Sequence, residues 1–176
     1  TLDLLRFFGG DISKIKTFEY KTKKRLDFIT ITSDIEDFIK ESYIKDGLVV
    51  IQTHHTTCSI WVNENEKNLI GENGDIQKVL DKIANPNIEY GHNDIKDSNN
   101  PNGKRDTHLC DADSCGVISE CKNGHAHAQG MILPCSISLI IKDGKLIRGK
   151  WQEILLVELD HDRERKIGVL VQGSKD

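Results

Sequence analysis

From Met131 to the C-terminal end the chain reads as one strand after another. Met131 to Ile141, Lys145 to Lys150, Glu153 to Leu159 and Lys166 to Gln172 are apolar or alternating runs broken by turn residues. A period of two places successive side chains on opposite faces, which is a strand pattern. Asp143-Gly144 between the first two runs is a strong hairpin signal. A block of consecutive strands confines the fold to mostly antiparallel sheets. Upstream, Phe18 to Tyr20 and Leu26 to Thr32 read as two more strands joined by the charged turn Lys21 to Arg25, predicting a hairpin. The period then changes. Ser33 and Glu36 fit a capping box, and Ile35, Phe38 and Ile39 form the apolar stripe of a short helix ending before Gly47. Leu48 to Thr53 is the next strand, and its unbroken apolar run predicts burial on both faces. A second helical segment spans Glu66 to Ala84, split near Gly71 and Gly74 and ended by Asn85-Pro86. About seven strands and two helices by this pattern give an α+β fold. It is expected as a mostly antiparallel β-sandwich or flattened barrel with two or so outer helices.

The length of 176 residues suits a single domain, residues 1–176, in which 1–15 reads as an N-terminal extension. Lys and Arg number 24 against 28 Asp and Glu, a net charge of -4, which argues against non-specific binding to nucleic acid. No apolar run is long enough to span a bilayer, so no membrane partner is expected. The five cysteines are odd in number, and Cys110, Cys115 and Cys121 crowd one loop. The start TLDLLRFFGGD is too short and too broken to be a signal peptide. A reducing cytoplasmic location with free thiols is the expectation.

The chemistry concentrates in His54 to Glu64, which reads HHTTCSIWVNE beside the apolar strand. Ile60 and Val62 should face the core, while Ser59, Trp61 and Asn63 could form a pocket wall. The long segment from Tyr90 to Gly130 is rich in Gly, Asn, Asp and His and nearly aperiodic, a length that marks a functional loop in a compact domain. His55, His92 and His127 lie far apart in sequence beside strand ends or in that loop, and three histidines with one open position is the ligand set of a catalytic zinc. Separate polar loop residues fit the composition equally well. His125 and His127 alternate by two, so on an extended backbone only one can join a given site. Cys110, Cys115 and Cys121 with His108 or His125 suggest a structural zinc knot, but their spacing lacks a CxxC pair. Asp111 to Gly116 imitates a calcium loop and fails, because the twelfth position is Lys122. Cys58 beside His55 could be a nucleophile, although filling space near the core is the simpler role. Glu64 could act as a general base or orient a histidine ring. Trp151 and Gln152 stand at a strand-to-strand corner where they could line a pocket. Arg163 and Arg165, in a turn with Asp160 and Asp162, would make a phosphate clamp.

Taken together, HTT followed by NE (His55 to Thr57, Asn63, Glu64), YGHND, NGHAH, the DGKL hairpin, GKWQ with Glu158 and the DHDRER turn resemble the YjbQ family, described as secondary thiamine-phosphate synthase enzymes. The similarity extends over nearly everything from Phe18 onward. It implies a compact α+β domain assembling as a homotrimer, with a pocket between subunits lined by the HTT, GHN and HAH segments. It also implies a weak ability to join a pyrimidine diphosphate to a thiazole phosphate with release of pyrophosphate. Carried over position by position, the resemblance points to His55, Thr56, Asn63, Glu64, His92, His127, Trp151, Gln152 and Arg163 as site residues. This chain departs from the family in having Lys150 where Thr is usual, and in residues 104–122, which read as a loop insertion. The expectation is a metal-assisted enzyme acting on a small phosphorylated molecule. His55, His92 and His127 would hold a divalent cation, zinc or magnesium. Glu64, His55 and Asn63 would be catalytic, and Thr56, Thr57, Lys150, Trp151, Gln152 and Arg163 would bind substrate. A non-catalytic module for small anions or metal, or a metal-dependent phosphate-ester hydrolase, are the competing expectations.

Overall fold

The computed structural model describes residues 12–96, 99–106 and 122–175. The elements in order are β1 (Ile12–Lys21), β2 (Phe28–Thr30), α1 (Thr32–Ser42), β3 (Asp46–Thr53), β4 (Cys58–Asn63), α2 (Lys67–Ile70), α3 (Asp75–Ile83), β5 (Ile95–Lys96), β6 (Arg105–Asp106), α4 (Gly124–Gln129), β7 (Ser136–Lys142), β8 (Lys145–Leu146), β9 (Glu153–Glu158) and β10 (Glu164–Ser174). The fold is α+β, as the pattern predicts. An antiparallel five-stranded sheet has the order β1-β10-β3-β7-β8, and an antiparallel three-stranded sheet the order β2-β9-β4. A minimal parallel pair, β5 with β6, lies in the segment before the 107–121 stretch. The insertion's three cysteines and His108 fall outside the described residues.

The alternation in β10 explains the first core. Arg165, Ile167, Val169 and Val171 turn inward, and the apolar members meet Val49 and Ile51 of β3, Ile154 and Leu156 of β9, and Ile60 of β4. Helix α1 closes this layer with Ile35, Phe38 and Ile39, the residues at helical spacing. Leu155 and Val157, on the other face of β9, join Ile70, Leu80, Ala126 and Leu133 in a second core beneath α2 to α4. Strand β9 is therefore buried on both faces, which its continuous run ILLV requires. Each fully buried Leu or Ile contributes roughly 1.5–3 kcal/mol. The two cores thus make β9 the spine of the molecule.

Several expectations are corrected. β1 and β2 do not form a hairpin: β1 pairs with β10 and β2 with β9, in different sheets. The charged turn is a corner between sheets, pinned where the Thr22 N–H donates to the Arg163 carbonyl at 2.9 Å. β3 is buried on one face only, because nothing covers the side carrying Leu48 and Val50 among the described residues. Ser33 lies inside α1 and makes no cap bond; Thr32 instead accepts the Ile154 N–H at 2.9 Å and ties the helix to β9. Ser59 and Trp61 do not wall a pocket but face the second core. The split of α2 from α3 falls between Gly71 and Gly74, as predicted.

At one end of the interior the sandwich buries a charge pair. Glu158 is fully buried and Arg165 nearly so. Arg165 Nε donates to Glu158 Oε2 at 2.6 Å, and its Nη2 donates to Oε1 in a bidentate pairing. Thr22 Oγ1 donates to Oε2 at 3.0 Å and the Asp160 N–H donates to Oε1 at 2.9 Å, so the carboxylate is satisfied on both oxygens. Breaking such a pair strands one buried charge, whereas replacing both partners by apolar residues of similar volume is often tolerated. Arg165→Met alone should therefore lower unfolding stability by about 3–5 kcal/mol in urea titration. Adding Glu158→Leu should restore most of the loss.

Candidate functional site

The site grows from the places where strands end. β3 stops at Thr53, whose Oγ1 accepts the His55 N–H at 3.2 Å. The chain then turns through His54 to Thr57 and crosses to the other sheet as β4. In the turn the His54 N–H donates to the Lys166 carbonyl at 3.0 Å, and the Lys166 N–H donates to His55 Nε2 at 2.8 Å. The imidazole thus replaces the carbonyl that a longer β3 would have offered to β10. Burial depresses the His55 pKa to about 4, with the Arg165, His54, Arg163 and Lys166 charges adding to the effect. Thr57 is buried and accepts Arg165 Nη2 at 3.1 Å, while Thr56 is exposed beside it.

The second group comes from the long segment, which is not wholly a loop. A 3-10 turn at Gly91–Asn93 carries His92, and α4 carries His125 and His127. Gly124 allows the two pieces to touch. A Cβ there would lie 2.5 Å from Tyr90 Cβ, and the Gly124 N–H donates to Asn93 Oδ1 at 3.0 Å. The His92 and His127 rings meet edge to face with centroids 4.5 Å apart. His125 and His127 are on a helix rather than extended, yet at 100° per residue they still point to opposite sides. His125 is buried, with Asp81, Arg25 and Asp160 among its neighbours. Burial lowers the pKa values of His92, His125 and His127, and Arg105 lowers that of His92 further. All three rings are held neutral. His92 Nε2 and His125 Nε2 are buried and have no hydrogen-bond partner among the described residues. Asn123 Nδ2 donates to Asp160 Oδ2 at 2.9 Å and Arg163 Nη2 donates to the same oxygen at 3.1 Å, which joins the α4 entrance to the turn before β10. Arg163 also contributes to the field around His55, so the turn links both histidine groups.

The remaining candidates stand elsewhere. Asn63 ends β4 and pairs with Glu153, next to Trp151 and Gln152; Asn63 Oδ1 accepts the Glu64 N–H at 2.8 Å, and Glu64 is exposed. Gln152 Oε1 accepts the Gly149 N–H at 2.7 Å and shapes the turn. Lys150 Nζ lies 4.9 Å from the Trp151 ring centre, with Trp151 63% exposed. Cys58, at the opposite end of β4, pairs with Glu158. At about 3.3 Å per residue the two ends of β4 are roughly 17 Å apart. One chain therefore divides its candidate residues between two poles. His55, Thr56, Thr57, His92, His127 and Arg163 share the first, and Asn63, Glu64, Lys150, Trp151 and Gln152 the second.

Among the described residues, no three His, Cys, Asp or Glu side chains converge closely enough in one chain to hold a metal ion. Arg165 is no phosphate clamp, since Glu158 occupies its guanidinium. Cys58 packs into the first core, as the simpler reading expects, and burial pushes its thiol pKa up to about 11, which disfavours the reactive thiolate. Arg105 carries no periodic signal in the sequence, and Asn123 stands out there only as the first residue of NGHAH. It could have assigned Arg165 to the interior, since Arg165 shares the face of Ile167, Val169 and Val171.

Residues 16–174 match the family model described as UPF0047 protein YjbQ-like. The chain belongs to the YjbQ family. A UPF0047 protein of Methanocaldococcus jannaschii is 31% identical over 164 residues, covering 93% of this chain and 98% of that one. The UPF0047 protein YugU of Bacillus subtilis is 28% identical, covering 90% and 99%. A crystal structure of a YbjQ-like protein of unknown function from Sulfolobus solfataricus P2 is similar with a TM-score of 0.73 and 28% identity, over 94% of this chain and all of that one. Every candidate residue falls inside the YjbQ-like region. No helix among the described residues is long and apolar enough to cross a membrane.

Two outcomes follow from this geometry. Neutral histidines favour the folded state above the ordinary value of 6.5; the unfolded chain gains protons first as pH falls, so the stability is lost toward pH 4. Thermal melts from pH 7 to 4.5 should show a falling Tm, and His55→Gln should flatten that slope. Gly124→Ala forces α4 away from Tyr90 and should cost about 1–3 kcal/mol, read by denaturant unfolding.

Proposed function

We propose that His92 and His127 hold a divalent cation and that the protein is a metal-assisted enzyme acting on small phosphorylated substrates. The observation that carries this reading is a pair of touching neutral imidazoles, one of them with a buried nitrogen that no group among the described residues satisfies. Metal binding requires the neutral form, and imidazole suits zinc better than magnesium. The residues fit such an ion in ligand type. Two side chains leave positions for water and for substrate phosphate oxygens, and a bound cation would supply neutralisation of charge on those oxygens.

The resemblance suggests a reaction like thiamine-phosphate formation. There the thiazole nitrogen uses its lone pair to form a C–N bond at the pyrimidine methylene, while the C–O bond to pyrophosphate breaks and pyrophosphate leaves with the electron pair. The chain's own task is to seat two anionic substrates and exclude water. Arg163, held by Asp160, would meet phosphate at the first pole. Lys150, Trp151 and Gln152 would present an aromatic face and a cation at the second, with Asn63 and Glu64 orienting bound groups.

Two poles about 17 Å apart cannot act on one small molecule unless a second copy brings its far pole against the near pole of the first. Exposed Met131, at 87%, follows α4 at one pole, and exposed Trp151 marks the other. Head-to-tail contacts of this kind give rings where the rotation between copies closes. We read the ring as the homotrimer that the resemblance implies. Sedimentation equilibrium should give three times the chain mass, and Trp151→Glu should shift the protein toward monomer.

The deciding experiment measures the metal content of the purified protein, then pyrophosphate release from a pyrimidine diphosphate and a thiazole phosphate. Wild type should hold zinc and release pyrophosphate, and His127→Ala should lose the metal and at least about 10²-fold in rate. Orthophosphate release would assign a hydrolase instead. Bound zinc without turnover of either kind would leave a binding protein.

A further inference from the structure

We infer that His55 serves as a hydrogen-bond donor to an anionic oxygen of the substrate through Nδ1, and that it is not a ligand of the metal. The inference rests on the reading that His92 and His127 hold the cation. Its warrant is one hydrogen bond whose direction is fixed. A backbone N–H can only donate, and the Lys166 N–H lies 2.8 Å from His55 Nε2. Nε2 must therefore offer its lone pair, and a neutral imidazole that accepts at Nε2 carries its proton on Nδ1. Such a ring has no second lone pair. A metal could be bound only by breaking the bond to Lys166.

That bond is part of the scaffold. The Lys166 carbonyl accepts from the His54 N–H at 3.0 Å, so Lys166 is gripped on both sides by the HisHis pair where β3 ends against β10. Gly168 lies in the same strand under the His54 ring; a Cβ there would come within 2.9 Å of His54 Nε2. The His55 ring is thus fixed in place with Nε2 turned to the Lys166 backbone. Nδ1 makes no hydrogen bond among the described residues.

The surroundings select an anion. The charged groups that act on His55 are Arg165, Arg163, Lys166 and a second imidazole, His54. Glu158 and Thr57 hold Arg165 and Asp160 shares Arg163, so two of these cations are already paired, yet the balance of charge acting on the His55 ring stays positive. A phosphate or pyrophosphate oxygen meets these conditions, and Thr56, exposed next to His55, adds a hydroxyl. The two histidine groups then have distinct tasks: His92 and His127 bind the cation, and His55 binds the oxygen on which charge collects.

Long-range proton–nitrogen NMR of the full-length, nitrogen-15-labelled protein tests this directly. His55 should show a protonated Nδ1 and an unprotonated Nε2, unchanged when one equivalent of Zn²⁺ is added, while His92 and His127 shift. On metal-free protein, His55→Gln should weaken inorganic pyrophosphate binding by about 10-fold or more. The same variant should leave zinc stoichiometry intact. His55→Asn, whose amide can reach the Nδ1 position, should recover part of the affinity. A His55 signal that moves with zinc, loss of zinc in His55→Gln, or unaltered pyrophosphate affinity would each overturn the inference. Failure of any histidine to respond to zinc would sink the metal reading alone, since the tautomer and the pyrophosphate measurement still decide the role of His55.

Discussion

The buried pairing of Glu158 with Arg165 is the constraint from which the candidate functional end of the molecule takes its shape. Two charges removed from water cost several kcal/mol each, and they persist only because every polar atom of the carboxylate has a partner. Those partners come from separate parts of the chain: Thr22 from the corner after β1, Arg165 from β10 and the Asp160 backbone from the turn between β9 and β10. Arg165 in turn reaches Thr57, which immediately precedes β4. One ion pair thus fixes where four segments stop relative to one another. The histidine turn, the Asp160 turn and the entry to α4 are then positioned by connection to it.

This arrangement explains why polar residues gather at strand ends instead of along the strands. β9 is apolar on both faces until Glu158, so chemistry has room only beyond its two ends. At one end lie the neutral imidazoles, Asp160 and Arg163; at the other lie Trp151, Lys150 and Asn63. Neutrality of the histidines is a product of burial, reinforced by nearby cations. The proposed cation and phosphorylated substrate draw on this combination, since neutral bases can ligate a metal and basic groups attract an anion.

Much of this was legible in the chain itself. The strands of the last third, the two helical stripes and the break at Gly71 and Gly74 announce themselves through period and turn chemistry, since burial on one face imposes the repeat. The β1–β2 pairing was misread because a charged turn between two strands looks the same whether the strands pair with each other or with β10 and β9. The one-sided burial of β3 was hidden because Leu48 and Val50 are apolar yet open on the outer face of the sheet. Convergence of His92 with His127 depends on Gly124 lying against Tyr90, a contact between distant segments that leaves no periodic trace. The tautomer of His55 was beyond sequence reasoning, since it follows from a backbone donor on a neighbouring strand. Arg165 was the avoidable error, for it sits in phase with three buried aliphatic residues.

If the ion pair organises the site, its removal must loosen the site even where the fold survives. The most direct measurement is amide hydrogen exchange on the Glu158→Leu, Arg165→Met double variant. The amides of Asp160 and Lys166 should exchange about tenfold faster or more than in the wild type, while those of β9 and α1 keep their protection. Unchanged exchange at Asp160 and Lys166 in a stably folded double variant would contradict it.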